Sequence, residues 1–284
     1  MSGHSHIRES INYKHFGRYD DDTTALVVAL KYRKTSTHPD DGHIQFESVI
    51  TLLLEYGADV SVVCKGGTTA LHWAIKTAVP IQTMQLILEK LPVDKINTKV
   101  DGSTALMTAV KCKVKSFENG EKPKLWKRQV LALLKYQADP YTVDKAGNSL
   151  LHQSSAAGTW LLKNLKEFDL NINRKGEHGA TPLMTAILQN LDILTTYGHF
   201  DMYFDDYVEV LLEQGADISI TNNHDRTAIQ IAESYMRKDD YSLLLLREAE
   251  KQFQDKMAMF ALGHFLSPEL HKMIQYSPEK NMTP

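Results

Sequence analysis

The chain has 284 residues, of which 43% are hydrophobic, 24% are charged and 8% are aromatic. This composition excludes an intrinsically disordered chain, which would be poorer in apolar residues and would carry a larger net charge. With 32 basic and 35 acidic residues, the formal net charge is -3, so no global field attracts nucleic acid or an anionic membrane.

The N-terminal residues are polar and lack the apolar core of a signal peptide. The longest apolar runs fall far short of the roughly 20 residues that span a bilayer. The two cysteines, Cys64 and Cys112, match no zinc motif and no disulfide framework. We therefore expect a soluble cytoplasmic protein with no membrane insertion.

One six-residue pattern recurs along the chain and predicts a series of helix starts. Its copies are TALVVA, TALHWA, TALMTA, SLLHQS, TPLMTA and TAIQIA, which begin at Thr24, Thr69, Thr104, Ser149, Thr181 and Thr227. A second pattern, in which leucines are followed by an Ala-Asp pair, predicts helix ends. It reads LLLEYGADVSV at 52–62, LLKYQADPYTV at 133–143 and LLEQGADISI at 211–220.

Together the two patterns closely resemble the ankyrin repeat. The turn glycine of that family is matched by Gly67, Gly102, Gly147 and Gly179, and the family histidine by His72 and His152. The resemblance covers residues 20–250 and implies an all-α solenoid of about six helix-turn-helix repeats. Residues 1–19 then form a polar N-terminal segment, and residues 251–284 form a C-terminal helical cap or tail.

The spacing of the repeats predicts where extra residues lie. The aspartate position of one repeat always precedes the next helix start by ten residues, as in Asp59 to Thr69. Successive helix starts differ by 45, 35, 45, 32 and 46 residues, whereas the usual repeat has about 33. The first, third and fifth repeats therefore contain enlarged segments between their two helices, at 31–47, 111–128 and 188–207, part of which can be extra helical turns.

Two of these enlarged segments carry opposite charge. The second is basic and contains Trp126, and the third is acidic and aromatic. One interpretation is a bipolar edge that binds a partner of complementary charge; the other is that the segments are merely solvated or attract each other. Trp126 either anchors an interface or folds back onto the helices.

The resemblance also implies a binding surface, because ankyrin proteins usually bind through the finger tips and inner helices of the concave face. Matching by position selects Lys65, Lys76, Lys111, Lys145 and Arg226. The charged segments add further candidates for partner binding. These are Lys122, Lys124, Trp126, Lys127, Arg128, Tyr203, Phe204, Asp205 and Asp206.

No motif for a catalytic nucleophile, a metal site or a phosphate site is present in the sequence. We therefore predict a non-catalytic scaffold or adaptor whose partners are one or more proteins, with no cofactor, metal, nucleic acid or small-molecule ligand. His72 and His152 are interpreted as structural, because the family histidine hydrogen-bonds neighbouring turns.

The tail leaves a second hypothesis open. LSPELHKMI at 266–274 looks like the opening of an F-box, the module that links ankyrin proteins to ubiquitin ligases, but only ten residues follow it. A C-terminal cap over the last repeat is the other interpretation. The alternative function is a secreted effector of an intracellular pathogen that acts in the host cytosol and recruits a ubiquitin ligase through this tail.

Overall fold

The computed structural model describes residues 11–13, 23–33, 46–64, 67–116, 125–153, 155–197 and 204–265, with the side chains of 112–116, 155–156, 192–197 and 261–265 left aside. These residues form twelve α-helices and, within the same ranges, no β-strand. The prediction of an all-α chain is confirmed.

Most repeats pair a first helix with a second helix. The helices are α1 (Ala25–Tyr32), α2 (Phe46–Glu55), α3 (Ala70–Lys76), α4 (Ile81–Lys90), α5 (Val93–Ile96), α6 (Ala105–Ser116), α7 (Leu125–Lys135), α8 (Ser155–Asn164), α9 (Pro182–Tyr197), α10 (Phe204–Glu213), α11 (Ala228–Glu233) and α12 (Tyr241–Phe265). The short α5 follows the second helix of the second repeat. Three short 3₁₀ helices cover Leu150–His152, Lys166–Phe168 and Glu177–Gly179.

A helical element begins directly after each of the six predicted start positions. The reason is local capping. At the five threonine positions the side-chain oxygen accepts a hydrogen bond from the amide three residues on, at 3.3–3.4 Å. Such a bond satisfies one of the amides that the first helical turn leaves without a partner.

The helices stack in two rows. The first helices of consecutive repeats contact each other, as α1 contacts α3 and α3 contacts α6, and the second helices do the same, as α2 contacts α4 and α4 contacts α7. The core lies between the rows. The leucines and the isoleucine of the helix-start pattern are buried there: Leu71, Leu106, Leu183 and Ile229.

The connections between repeats are hairpin-like fingers. In the finger at 144–148, the amide of Asp144 donates to the carbonyl of Asn148 and the amide of Gly147 donates back to Asp144, both at 3.0 Å. The fingers at 64–68, 176–180 and 222–226 repeat this pair of bonds. The finger at 100–103 is a two-residue turn in which Asp101 and Gly102 both have positive φ, 52° and 81°, the conformation of a type I′ turn.

The fourth repeat departs from the predicted helix-turn-helix. Its first helix is only the 3₁₀ turn Leu150–His152, and α8 begins at Ser155. Side chains of the next repeat satisfy the carbonyls that a longer helix would have used. The Tyr207 hydroxyl donates to the Leu151 carbonyl at 2.6 Å, and the Gln189 amide donates to the His152 carbonyl at 2.9 Å.

Two of the enlarged segments are partly extra helical turns, as expected. The first helices α6 and α9 have 12 and 16 residues, against 7 for α3. Within the three segments, residues 34–45, 117–124 and 198–203 lie outside the described residues.

A hydrogen bond and a helix cross the two boundaries that the sequence patterns placed at the ends of the repeat domain. Asn12 accepts a hydrogen bond from the Asp59 amide at 2.7 Å, as Asn97 does from Asp139 and Asn173 from Asp217. Asn12 thus makes the contact that an asparagine of the preceding repeat makes elsewhere in the stack. At the other end, α12 runs unbroken through the boundary placed after residue 250.

In the part of the chain that the structure describes, no helix is both long enough and apolar enough to cross a membrane. The F-box-like pattern at 266–274 lies outside that part, as does most of the predicted cap.

Candidate partner-binding surface

We call the surface formed by the first helices and the fingers the inner surface. Its solvent-exposed side chains are mixed in chemistry. Those on the helices include Lys76, Leu188, Gln230 and Glu233, and those on the fingers include Lys99, Asp101, Lys145, Lys175, Glu177 and His178. Equivalent positions of consecutive repeats therefore line one continuous surface.

Two buried histidines hold the fingers against the helices beneath this surface. The Nε2 atoms of His72 and His152 lie 3.2 Å from the carbonyl oxygens of Ser103 and Ala180, respectively. A carbonyl only accepts, so Nε2 carries the proton. The other ring nitrogen, Nδ1, then accepts: in His152 it lies 3.1 Å from the donating Ser149 amide. This confirms the structural interpretation of both histidines.

Burial disfavours the charged form of both rings. Burial lowers the pKa of His72 from 6.5 to about 4, against the hydrogen bond to Ser103. Burial also lowers the pKa of His152. A second ring proton would lie on Nδ1, which in His152 faces the donating amide of Ser149.

We expect the protein to lose stability on acidification. His72 has a lower pKa in the folded state than in the unfolded state, so its contribution is complete above about pH 6.5 and falls as the pH drops towards 4. Between about pH 7.5 and pH 5 the loss from this one ring is about 2 kcal/mol in the free energy of unfolding. Urea denaturation at the two pH values measures it.

The matched variants for this test are His72→Gln and His178→Gln. Glutamine already stands at the equivalent position in the sixth repeat, where Gln230 caps the Thr227 amide. His72→Gln should reduce the pH dependence, and His178→Gln, at an exposed finger position, should leave it unchanged. Equal pH dependence of His72→Gln and the wild type would contradict the assignment.

One ion pair links the third repeat to the finger that follows it on the inner surface. The ammonium of Lys111 lies 2.9 Å from the Ser103 hydroxyl and 3.4 Å from an oxygen of Asp144. Burial by itself would raise the pKa of Asp144, but hydrogen bonds from the amides of Asn148 and Ala146, together with Lys111, outweigh it and lower the pKa. The Lys111 ammonium therefore already makes two contacts within the protein.

The other three described residues that were predicted for the inner surface differ in their exposure and contacts. Lys76 is exposed and its ammonium lies 5.5 Å from the centroid of the Trp73 ring. Lys145 is exposed and packs over Gly102 of the preceding finger. Arg226 is half-buried and donates to the Gln230 carbonyl at 2.6 Å, so it caps the end of α11.

Two aromatic candidates are in the core, which corrects their assignment to a binding surface. Trp126 is 5% exposed and packs edge-to-face on Trp160, with ring centroids 5.2 Å apart. Its ring folds back onto the next repeat because that contact buries a large apolar area. Phe204 begins α10 and is 2% exposed.

The remaining candidates are spread around the molecule. Lys127 is half-buried, 5.8 Å from the centroids of both tryptophan rings. Asp205 accepts a hydrogen bond from Ser242 of α12, and Arg128 and Asp206 are exposed. Four candidates lie outside the described residues: Lys65, Lys122, Lys124 and Tyr203.

Sequence reasoning missed Lys31, Tyr32 and Lys99 as residues of the inner surface. Lys31 and Tyr32 end α1, and Lys99 donates from its finger to the Val143 carbonyl of the next at 2.7 Å. The sequence could have indicated Lys31, because it follows its capping threonine by the same number of residues as Lys76 and Lys111 do.

The described residues contain no cluster of three or more histidine, cysteine or carboxylate side chains that could hold a metal ion. Cys64 is buried at the finger position that Asp144 and Asn222 occupy elsewhere.

Two rows of helices joined by regular fingers define a helical repeat solenoid. The family model for three copies of the ankyrin repeat matches residues 41–119, and the model for a single ankyrin repeat matches residues 178–223. The chain is an ankyrin-repeat protein, a class whose repeats are general modules of protein–protein interaction.

Solved ankyrin structures share the fold. The ankyrin repeat domain of Bcl-3, a member of the IkappaB protein family, is 22% identical over 86% of this chain and 91% of its own, with a TM-score of 0.57. The ankyrin repeat protein EF0377 is 19% identical over 79% and 96%, with a TM-score of 0.56. The domain ABAYE2397 from Acinetobacter baumannii AYE is 17% identical over 79% and 97%, with a TM-score of 0.58.

At these levels of sequence identity, the similarity to the three structures shows a shared fold and nothing further. No curated protein matches the chain.

Proposed function

We propose that this protein is a non-catalytic adaptor of the cytoplasm that binds a partner protein through its inner surface. One observation carries the proposal. Equivalent positions of consecutive first helices and fingers present accessible side chains along a single surface, while the second helices and the core supply the rigidity behind it. A preorganised surface of this kind binds without first losing conformational entropy.

The two charged segments, between the helices of the third and fifth repeats, are proposed to add contacts at the edge of this surface. Their sequence carries opposite charges in the third and fifth repeats, and complementary charge mainly raises the association rate. Lys122 and Lys124 are the side chains we would change first, because Lys127 packs on tryptophan rings and its loss would also affect the fold.

Site-specific photo-crosslinking in cells tests the proposal. A photoreactive residue at Leu188, which is exposed on α9 of the inner surface, should capture a discrete partner protein. The same residue at Gln82, exposed on the second helix α4, is the matched control and should not capture it. Equal capture from both positions, or capture from Gln82 alone, would contradict the inner-surface assignment.

A further inference from the structure

We propose that a cavity at the fourth repeat binds the C-terminal residue of a partner protein, with the free carboxylate on Arg174 and a branched aliphatic side chain over buried leucines. None of the exposed side chains named above for the inner surface lines this cavity. The proposal therefore goes beyond the proposed function, because it adds a second binding site that can fail while the inner surface still binds its partner.

The cavity lies where the fourth repeat departs from a regular helix-turn-helix. It is bounded by two segments that lead from second helices to fingers, one after α7 and one after α8, and by the start of the 3₁₀ turn Leu150–His152. A 3₁₀ turn is tighter than a turn of α-helix, so it leaves room between the two segments. The cavity is open to solvent and has a volume of about 320 Å³. A sphere of that volume is about 8 Å across, at the small end of ligand sites.

The floor of the cavity is apolar. Its residues are Pro140, Leu150, Leu151 and Leu170. The first three are buried, and Leu170 is half-buried and packs against the core. A short aliphatic side chain that enters the cavity would displace water from this floor, which favours binding.

The rim of the cavity supplies hydrogen-bond donors. Arg174 is exposed there, and within the described part of the chain its guanidinium has no hydrogen-bond or ion-pair partner. Asn171 accepts a hydrogen bond at Oδ1 from the Asn173 amide at 3.0 Å, which leaves Nδ2 as a donor. A guanidinium binds a carboxylate with two parallel hydrogen bonds, so the rim suits a carboxylate.

The pairing of an aromatic ring with a cation occurs at one place in the stack. Tyr141, on the rim, is 56% exposed. In the other repeats its position is occupied by Ser61, Ile96, Asn173 and Ser219. The position of Arg174 is occupied elsewhere by Val62, Asn97, Thr142 and Ile220. The cavity between the third and fourth fingers therefore has a chemistry that the repeat pattern itself does not require.

A C-terminal residue fits both the size and the charge of the cavity. Its α-carbon carries the carboxylate and the side chain together, so both groups fit within about 8 Å. An acidic and an apolar side chain from two different residues would need more room. No residue that lines the cavity is acidic, so the ammonium of a free amino acid would be desolvated without a partner. The nitrogen of a C-terminal residue is a neutral amide.

The test is a titration of the ¹⁵N-labelled full chain, followed by NMR, with the acetylated peptide Gly-Ser-Gly-Ser-Leu that ends in a free carboxylate. We expect saturable shifts of the amides of Tyr141, Leu151 and Arg174. A peptide with a C-terminal amide lacks the charge, and one with glycine as its last residue lacks the side chain. Each should bind about tenfold more weakly, because each loses one of the two contacts.

A matched pair of variants locates the carboxylate. Arg174→Gln should weaken binding of the free-carboxylate peptide about tenfold and leave the amidated peptide unchanged, because the guanidinium acts on the carboxylate. A purely structural role of Arg174 would weaken both peptides equally. The control is Lys175→Gln, which removes the same charge from the next exposed residue, outside the cavity lining. It should change the affinity less than about twofold.

The proposal is wrong if the peptide causes no saturable shifts at the cavity, if the carboxylate and amide forms bind equally, or if the two variants lose affinity equally. Binding of 4-methylpentanoate as tight as that of the peptide would also overturn it, because that free acid shares the carboxylate and the side chain but has no peptide amide. None of these results bears on the crosslink at Leu188, so failure of the cavity is distinguishable from failure of the adaptor function.

Discussion

Replacing Leu106 with alanine is expected to lower the free energy of unfolding by about 2–5 kcal/mol. Leu106 is fully buried in α6, which packs against α3 on one side and α7 on the other. Truncation leaves a cavity that neither neighbour can fill without breaking its own contacts. Because α6 lies in the third repeat, we also expect the loss to weaken coupling between the two halves of the stack.

Urea denaturation followed by circular dichroism measures this change. The matched control is Leu131→Ala on α7, because Leu131 is 50% exposed and the same truncation there should cost about 0.5 kcal/mol or less. A Leu106→Ala effect below about 1 kcal/mol would mean that α6 does not pack as described.

The periodic part of this fold could be predicted from the sequence. The helix-start pattern places a threonine or serine at the cap and an apolar residue two positions on, and the structure buries those apolar residues as expected. Local capping and burial of one helix face determine these features, and both are visible in a short window of sequence.

The short first helix of the fourth repeat could not be predicted in this way. SLLHQS at 149–154 carries the helix-start pattern, and its serines only modestly disfavour a helix. The deciding contacts come from Gln189 and Tyr207, 37 and 56 residues further along the chain. These two side chains hydrogen-bond to the carbonyls that the short turn leaves free, and no pattern in residues 149–154 indicates those contacts.

The candidate site was predictable only in part. Position in the repeat correctly indicated that Lys76 and Lys145 are exposed. Trp126 and Phe204, in contrast, were chosen because they stand among charged residues, and the structure buries both. An aromatic side chain within a charged stretch still packs into the core when a neighbouring repeat offers an apolar surface.

The contact between α8 and α10 leads to the last prediction, which concerns Gly158. A β-carbon built at Gly158 would lie 2.3 Å from Cζ of the Tyr207 ring. Tyr207 is buried and donates to the Leu151 carbonyl, so its ring cannot move aside without losing that bond. Burial also raises the pKa of Tyr207 well above its ordinary value, so it remains a donor at any pH at which the protein is studied.

Gly158→Ala is therefore expected to destabilise the protein by about 2–5 kcal/mol, which combines overpacking with the loss of a buried hydrogen bond. The sign is informative. In an ordinary helix the same change stabilises by about 0.5–1 kcal/mol, because glycine loses more conformational entropy on folding. Thermal and urea unfolding both measure the effect, and Lys163→Ala, at an exposed position of the same helix, is the control for helix propensity.

A double-mutant cycle isolates the contact. Tyr207→Leu removes the ring and the hydroxyl, so it should be destabilising alone but should make room for a methyl group at residue 158. Added to Tyr207→Leu, Gly158→Ala should then cost much less than in the wild type, with an interaction energy of about 1–3 kcal/mol. Additive effects of the two changes would show that Tyr207 does not pack on Gly158, and the account of how the fourth repeat is held would have to be abandoned.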